Sequence, residues 1–203
     1  MDEIQDLQIV FYPHPALLRK AEPVTAVDEQ IRRLVERMFE LLADASGVGL
    51  AATQVGVPLR LFVANVDGQA DRKQVFINPE LTDPSRELED SDEGCLSLPD
   101  IRGQIRRPKG ITITAQDLAG NSFTRSDDQL AARMWQHECD HLDGVLITDR
   151  MMKIDRMANQ QQMRSLEQAA PAGAEAGAPA VTPAASATSV SAPPRRRPAA
   201  RRR

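Results

Sequence analysis

The segment Gln136-His137-Glu138-Cys139-Asp140-His141 constrains this chain more than any other, because two of its three histidines stand there in the pattern HExxH. Residues four apart lie on one face of an α-helix, about 40° out of line, so both imidazoles can bind one metal ion if the segment is helical. Leu130, Met134, Trp135, Leu142, Val145 and Leu146 surround the motif with apolar residues. Histidines on an apolar helix need partners when buried, and one metal ion serves both. Glu138 lies about 100° round the helix from His137, off the ligand line but within reach of a water activated at the metal. The pattern points to metal-assisted hydrolysis.

A catalytic metal site keeps three protein ligands and one open position, so a third ligand must come from elsewhere. His14 stands between Pro13 and Pro15, which hold it in an extended or turned segment with a structural role or as a ligand. An ordinary zinc peptidase would draw on Asp143, Asp149, Asp155, Glu167 or Glu175, downstream of His141. Cys139 lies about 200° from His137 on the same helix and points away from such a metal, as a small buried hydrophobe does. Cys95 follows Gly94 in Asp92-Glu93-Gly94-Cys95-Leu96-Ser97-Leu98-Pro99. Glycine there permits close backbone approach, and a thiolate suits a borderline metal. Cys95, His137 and His141 together make a site of one thiolate and two imidazoles.

The rest of the pattern reads as α+β. Apolar residues at Ile31, Leu34, Val35, Met38, Phe39 and Leu42 have a helical period across Asp28–Asp44. Gly47 follows near where a C-cap glycine would sit. Short β-rich stretches come next: Leu59–Asn65, Val75–Ile77, Ile101–Arg107 and Ile111–Ala115. Asp117–Asn121 reads as a hairpin turn into a strand around Phe123. The motif helix is expected from near Asp127 to His141, and a polar helix from Arg150 to about Glu167. These elements predict a single domain over 1–168, with short antiparallel sheets around a central HExxH helix. Residues 169–203, rich in Ala, Pro, Ser, Thr and Arg, lack any hydrophobic period and read as a disordered tail.

Three segments carry a family resemblance. Gly47-Val48-Gly49-Leu50-Ala51-Ala52-Thr53-Gln54 resembles the GxGLAAxQ motif of peptide deformylases, Glu93-Gly94-Cys95-Leu96-Ser97 their EGCLS motif, and Gln136–His141 their QHExDH motif. Order and approximate spacing agree, and residues 8 to 165 are covered. Weaker matches lie at His14–Arg19, Ile77-Asn78-Pro79 and His141–Leu146. The resemblance implies a hydrolase that removes the N-formyl group from the initiator methionine of nascent polypeptides. It implies Fe2+, with Zn, Ni or Co as alternatives, held by Cys95, His137 and His141. It implies Glu138 as general base, with the Gln54 side chain and the Leu96 N–H as oxyanion donors. Val48, Gly49, Leu130 and Arg102 would line the peptide cleft, although Arg102 reads equally as a solvated surface charge.

Charge and composition bound the setting. Six arginines at 195–197 and 201–203, against Glu167 and Glu175, leave +4 on residues 166–203, so the formal −4 of the chain places −8 on residues 1–165. An acidic domain with a basic tail suggests an anionic partner such as ribosomal RNA, or else a solubilising extension. No apolar run approaches the ~20 residues of a membrane span. Two cysteines with separate non-disulfide explanations fit a reducing cytoplasm. Two other readings compete with the deformylase one. A metallopeptidase would take a downstream third ligand, and a ribosome-associated binding protein would close its metal with a fourth.

Overall fold

The computed structural model describes residues 3–66, 68, 69 and 72–170. Helix α1 (Glu29–Asp44) begins where Asp28 Oδ1 accepts the Ile31 N–H at 3.0 Å, a side-chain N-cap at the end the sequence marked. Strands β1 (Gly49–Ala51), β2 (Leu61–Ala64), β3 (Gln74–Thr82), β6 (Ile111–Gln116) and β7 (Ser122–Asp127) form one antiparallel sheet in that order. Strands β4 (Leu88–Cys95) and β5 (Leu98–Pro108) form a second, two-stranded sheet. Helix α2 (Leu130–Leu142) carries the histidine motif and packs against strands of both sheets. Short helices α3 (Ile147–Arg150), α4 (Lys153–Ala158) and α5 (Gln160–Ala169) follow.

The period-two alternation of β2 sorts its side chains between two layers. Leu61 and Val63 join Ile31, Leu34, Met38 and Leu42 of α1 on one face of the sheet. Phe62 and Ala64 join Met134, Trp135, Cys139 and Leu142 of α2 on the other. Both faces of β2 are covered, so it reads as a continuous apolar run. Phe62 pairs in register with Phe76, their rings stacked 4.5 Å apart. A third apolar cluster, with Leu17, Leu98, Ile101, Ile105, Ile147 and Met151, fixes β5 to α3.

Gly47 is not the left-handed cap of α1. Ser46 holds that conformation at φ 52°, with its N–H bonded to the Ala43 carbonyl and the Gly47 N–H to the Leu42 carbonyl. A Cβ at 47 would stand 2.8 Å from Leu42 Cδ1 and 2.9 Å from Leu96 Cδ1, so glycine there lets both leucine side chains pack against the backbone. Strand β3 continues past Ile77 through Pro79. Asn78, at φ 49°, makes an irregularity there and its side chain bonds both backbone groups of Val24. Strand β4 is unannounced because its exposed residues are acidic. They pair across to β5, Asp90 with Arg106 at 2.6 Å and Asp92 with Arg102 at 2.6 Å. The expected Arg150–Glu167 helix is broken, since Met151 bridges Ile105 and the Met152 N–H bonds the Gln104 carbonyl at 3.2 Å. That pairing takes the Met152 N–H out of the helical ladder. Asp117–Asn121 makes its turn as expected, and α2 starts at Leu130 rather than near Asp127. Residues 171–203, and with them nearly all of the expected tail, lie outside the described residues.

Candidate metal centre and cleft

Helix α2 supplies two ligands because it is buried at its C-terminal half, between the two sheets. The third comes from the end of β4. Pairing of β4 with β5 shifts register between Gly94 and Cys95, from Gly94 opposite Arg102 to Cys95 opposite Leu98. Such an irregularity re-aims a side chain, and Cys95 Sγ stands 3.1 Å from His141 Nε2. The ligand atoms of Cys95, His137 and His141 all lie within 4.8 Å of one another. Two such atoms on one tetrahedral ion are about 3.5 Å apart. A thiolate and two imidazoles in this space fit a divalent transition metal.

No other described side chain joins the cluster. His14 accepts the Ala16 N–H and caps a short turn. Asp143 pairs with Arg60 at 2.8 Å, Asp149 accepts the Leu146 N–H, Asp155 the Gln104 N–H, and Glu167 the Tyr12 hydroxyl. Glu175 lies outside the described residues. Cys139 faces the apolar core of α2 and β2, and burial pushes its thiol up to about 12.

The remaining side chains of the centre are held in specific orientations. Gln54 Oε1 accepts the Ala51 N–H at 2.8 Å, which turns Nε2 toward Ser97 Oγ at 3.3 Å and Cys95 Sγ at 3.6 Å. Leu96 follows Cys95 in the tight turn between β4 and β5. Glu138 packs against β1, where a Cβ on Gly49 would come 2.5 Å from Glu138 Oε1. Glycine at 49 is therefore what admits the carboxylate. Glu138 Oε2 is buried with no hydrogen-bond partner in the protein. Burial pushes this carboxyl up to about 7, against the pull of His137 and Arg107. Burial also holds His141 well below the usual imidazole range, which keeps it neutral as a ligand must be. Partial burial lowers His137, yet bonds to Cys95 and Glu93 outweigh that and lift it to about 10.

The centre opens into a cavity of about 550 Å³, lined by Val48, Gly49, Gln54, Leu96, Arg102, Leu130, Met134 and Glu138 among others. Every cleft residue expected from the sequence lines it. Arg102 does so with its side chain 63% exposed and bonded to Asp92. Glu93 stands in the Glu93–Ser97 motif without a role expected of it. Its Oε2 meets His137 Nδ1 at 3.0 Å. Ser97 stands in the same motif without a role of its own, and no local signal marked Arg107, whose partners are brought together only by the fold.

The model of the polypeptide deformylase family matches residues 6–157. The chain belongs to the polypeptide deformylase family. It is 43% identical over 164 residues to the peptide deformylase of Acidobacterium capsulatum, covering 79% of this chain and 95% of that one. It is 45% identical over 150 residues to that of Cellvibrio japonicus, covering 74% and 89%. A plant relative, peptide deformylase 1B of Arabidopsis thaliana, described as chloroplastic/mitochondrial, is 39% identical over 163 residues, covering 79% of this chain and 60% of the relative. Among solved deformylase structures, that from Plasmodium falciparum superposes with a TM-score of 0.77 at 34% identity, covering 79% of this chain and 95% of that one. That from Thermotoga maritima gives 0.69 at 41% identity, covering 72% and 97%. The α+β architecture and the Cys95/His137/His141 site are those of a deformylase.

Proposed function

We propose that this deformylase removes the N-formyl group with Glu138 as general base and with Gln54 and Leu96 as oxyanion donors. The chain is a metal-dependent hydrolase that takes the formyl group from the N-terminus of nascent peptides. The observation that carries the assignment is the three ligand atoms within 4.8 Å of one another, at a cleft that Cys95, His137, Glu138 and Gln54 line.

Cys95, His137 and His141 would hold a divalent ion, which would supply a Lewis acid and lower the pKa of a water toward neutral. The protein does the rest. Glu138, free at Oε2, takes the proton of the attacking water and returns it to the departing amine. The Gln54 amide and the Leu96 N–H face the charge that develops on the formyl oxygen, and losing one such donor costs about 10²–10³ in rate. β1 is an edge strand of its sheet, so its outer side is available to an extended peptide. Val48 and Leu130, both partly exposed at the cleft, offer apolar contact to a methionine side chain, with Gly49 and Arg102 beside the peptide backbone. Formate release from an N-formylmethionyl peptide by metal-loaded protein tests the assignment, and Gln54→Ala should lower kcat with little effect on KM.

The same reading takes Fe2+ as the native ion, on the strength of the thiolate ligand and the family resemblance. Activity should then fall in air for the ferrous protein and survive when nickel replaces iron. Equal losses in the two forms would point to oxidation of Cys95 alone. Among the described residues no helix is long and apolar enough to cross a membrane, and we place the enzyme in the cytoplasm, where nascent chains emerge. Fractionation of cells that express a tagged copy tests that placement. The arginine runs at 195–197 and 201–203 are assigned to contact with ribosomal RNA, whose salt dependence is the test.

A further inference from the structure

One buried cation is left over by the mechanism above. Arg107, on β5, has its side chain only 5% exposed. Its Nε and Nη2 bond both oxygens of Glu93, at 2.7 and 2.9 Å, and its Nη1 bonds Asp140 Oδ2 at 2.7 Å. Glu93 is the carboxylate that meets His137 Nδ1. Asp140 sits in the last turn of α2, directly before His141. The supports of the two imidazoles differ. His137 has a carboxylate on its second ring nitrogen, whereas His141 Nδ1 is buried with no hydrogen-bond partner. His141 is therefore placed by its backbone, through the Thr53 hydroxyl on its carbonyl and through whatever holds the last turn of α2.

Other arginines reach only one side of this arrangement. Arg133 bonds Glu93 at 2.7 Å and not Asp140, and Arg150 bonds Asp140 at 2.6 Å and not Glu93. Arg107 alone among the described residues spans both carboxylates. A guanidinium can do so because its rigid fork offers five donors in one plane, which an ammonium cannot imitate.

We propose that Arg107 is a positioning residue that sets the separation of His137 and His141, acting through Glu93 on one and Asp140 on the other. The proposal rests on the metal-site reading above. Partners of metal-bound imidazoles tune affinity, and their loss commonly costs about 10–100-fold. With Arg107 truncated, Glu93 keeps Arg133 and Asp140 keeps Arg150, so each arm is still neutralised but the two are no longer tied together.

The experiment loads wild type, Arg107→Met, Arg107→Lys, Arg133→Met and Arg150→Met with Co2+. It records each absorption spectrum, the rate of cobalt loss to excess chelator, and the thermal midpoint. Arg107→Met should lose cobalt about 10–100 times faster than wild type and shift the cobalt bands. Arg107→Lys should restore the midpoint more than the spectrum, because it returns the charge without the fork. Arg133→Met and Arg150→Met should each change the loss rate less than Arg107→Met does. If Arg107→Met fails to fold, Arg107→Lys carries the test, and it must still lose cobalt faster with shifted bands. A lowered midpoint with unchanged spectrum and loss rate would make Arg107 a structural ion pair and overturn the proposal. Wild type that takes up no cobalt would instead overturn the metal-site reading beneath it.

Discussion

Gly49 and Glu138 together show how closely the backbone and the chemistry are matched. The carboxylate lies where a Cβ on residue 49 would be, 2.5 Å from its Oε1. Gly49→Ala must therefore push Glu138 aside, and a displacement of about 1 Å can cost on the order of 10²-fold in rate. We expect kcat to fall by that order while bound metal stays near one per chain, read by steady-state kinetics beside metal analysis. Glu138→Ala should likewise keep its metal and lose about 10²–10⁴ in rate. Near-normal turnover in that metal-loaded variant would remove Glu138 from its role. The two cysteines divide in the same manner. Cys95→Ser should lose metal, whereas Cys139→Ser, in the apolar core, should keep it. The opposite result would sink the ligand assignment.

At the scale of elements, Ser46 offers a test of local strain. It ends α1 in the left-handed region at φ 52°, where an L side chain costs about 1–2 kcal/mol. Ser46→Gly removes that cost and gives back about 0.4–1 kcal/mol through the freer unfolded chain. A net gain of several tenths of a kcal/mol should appear as a higher urea midpoint at unchanged slope. Ser46 shows why this end of the helix was misread from sequence: two glycines nearby draw the eye, and the residue that adopts the unusual conformation is neither. Elements with a hydrophobic period were legible, α1 and β6 above all, because one face of each is buried. Strand β4 was not, since its exposed acidic residues leave it without an apolar period and its composition reads as a loop. The ligands were legible because the chemistry needs rare residue types at helical spacing. The network of Glu93, Arg107 and Asp140 was not, because its members are 14 and 33 residues apart and meet only in the folded chain.

For the whole molecule, the acidic residues 1–165 contain every group assigned to the chemistry, and the arginine runs lie well beyond them. Protein ending at Ala170 should hydrolyse a small formyl peptide at the full-length rate. It should co-sediment less with ribosomes, and the difference should shrink as salt rises, with a log–log slope of about −0.7 per phosphate contacted on single strands. Equal ribosome binding by both forms would leave the arginines as a solvated extension. Lost hydrolysis in the shorter form would mean that the catalytic unit extends past residue 170. All of these expectations depend on Cys95, His137 and His141 holding the ion that deformylation requires. The direct measurement is metal content and formate release on the same anaerobically purified samples of wild type and Cys95→Ser. One metal per chain with formate release in proportion to it, and loss of both in the variant, is the predicted result. Wild-type turnover by metal-free protein, or an active metal-loaded Cys95→Ser, would contradict it.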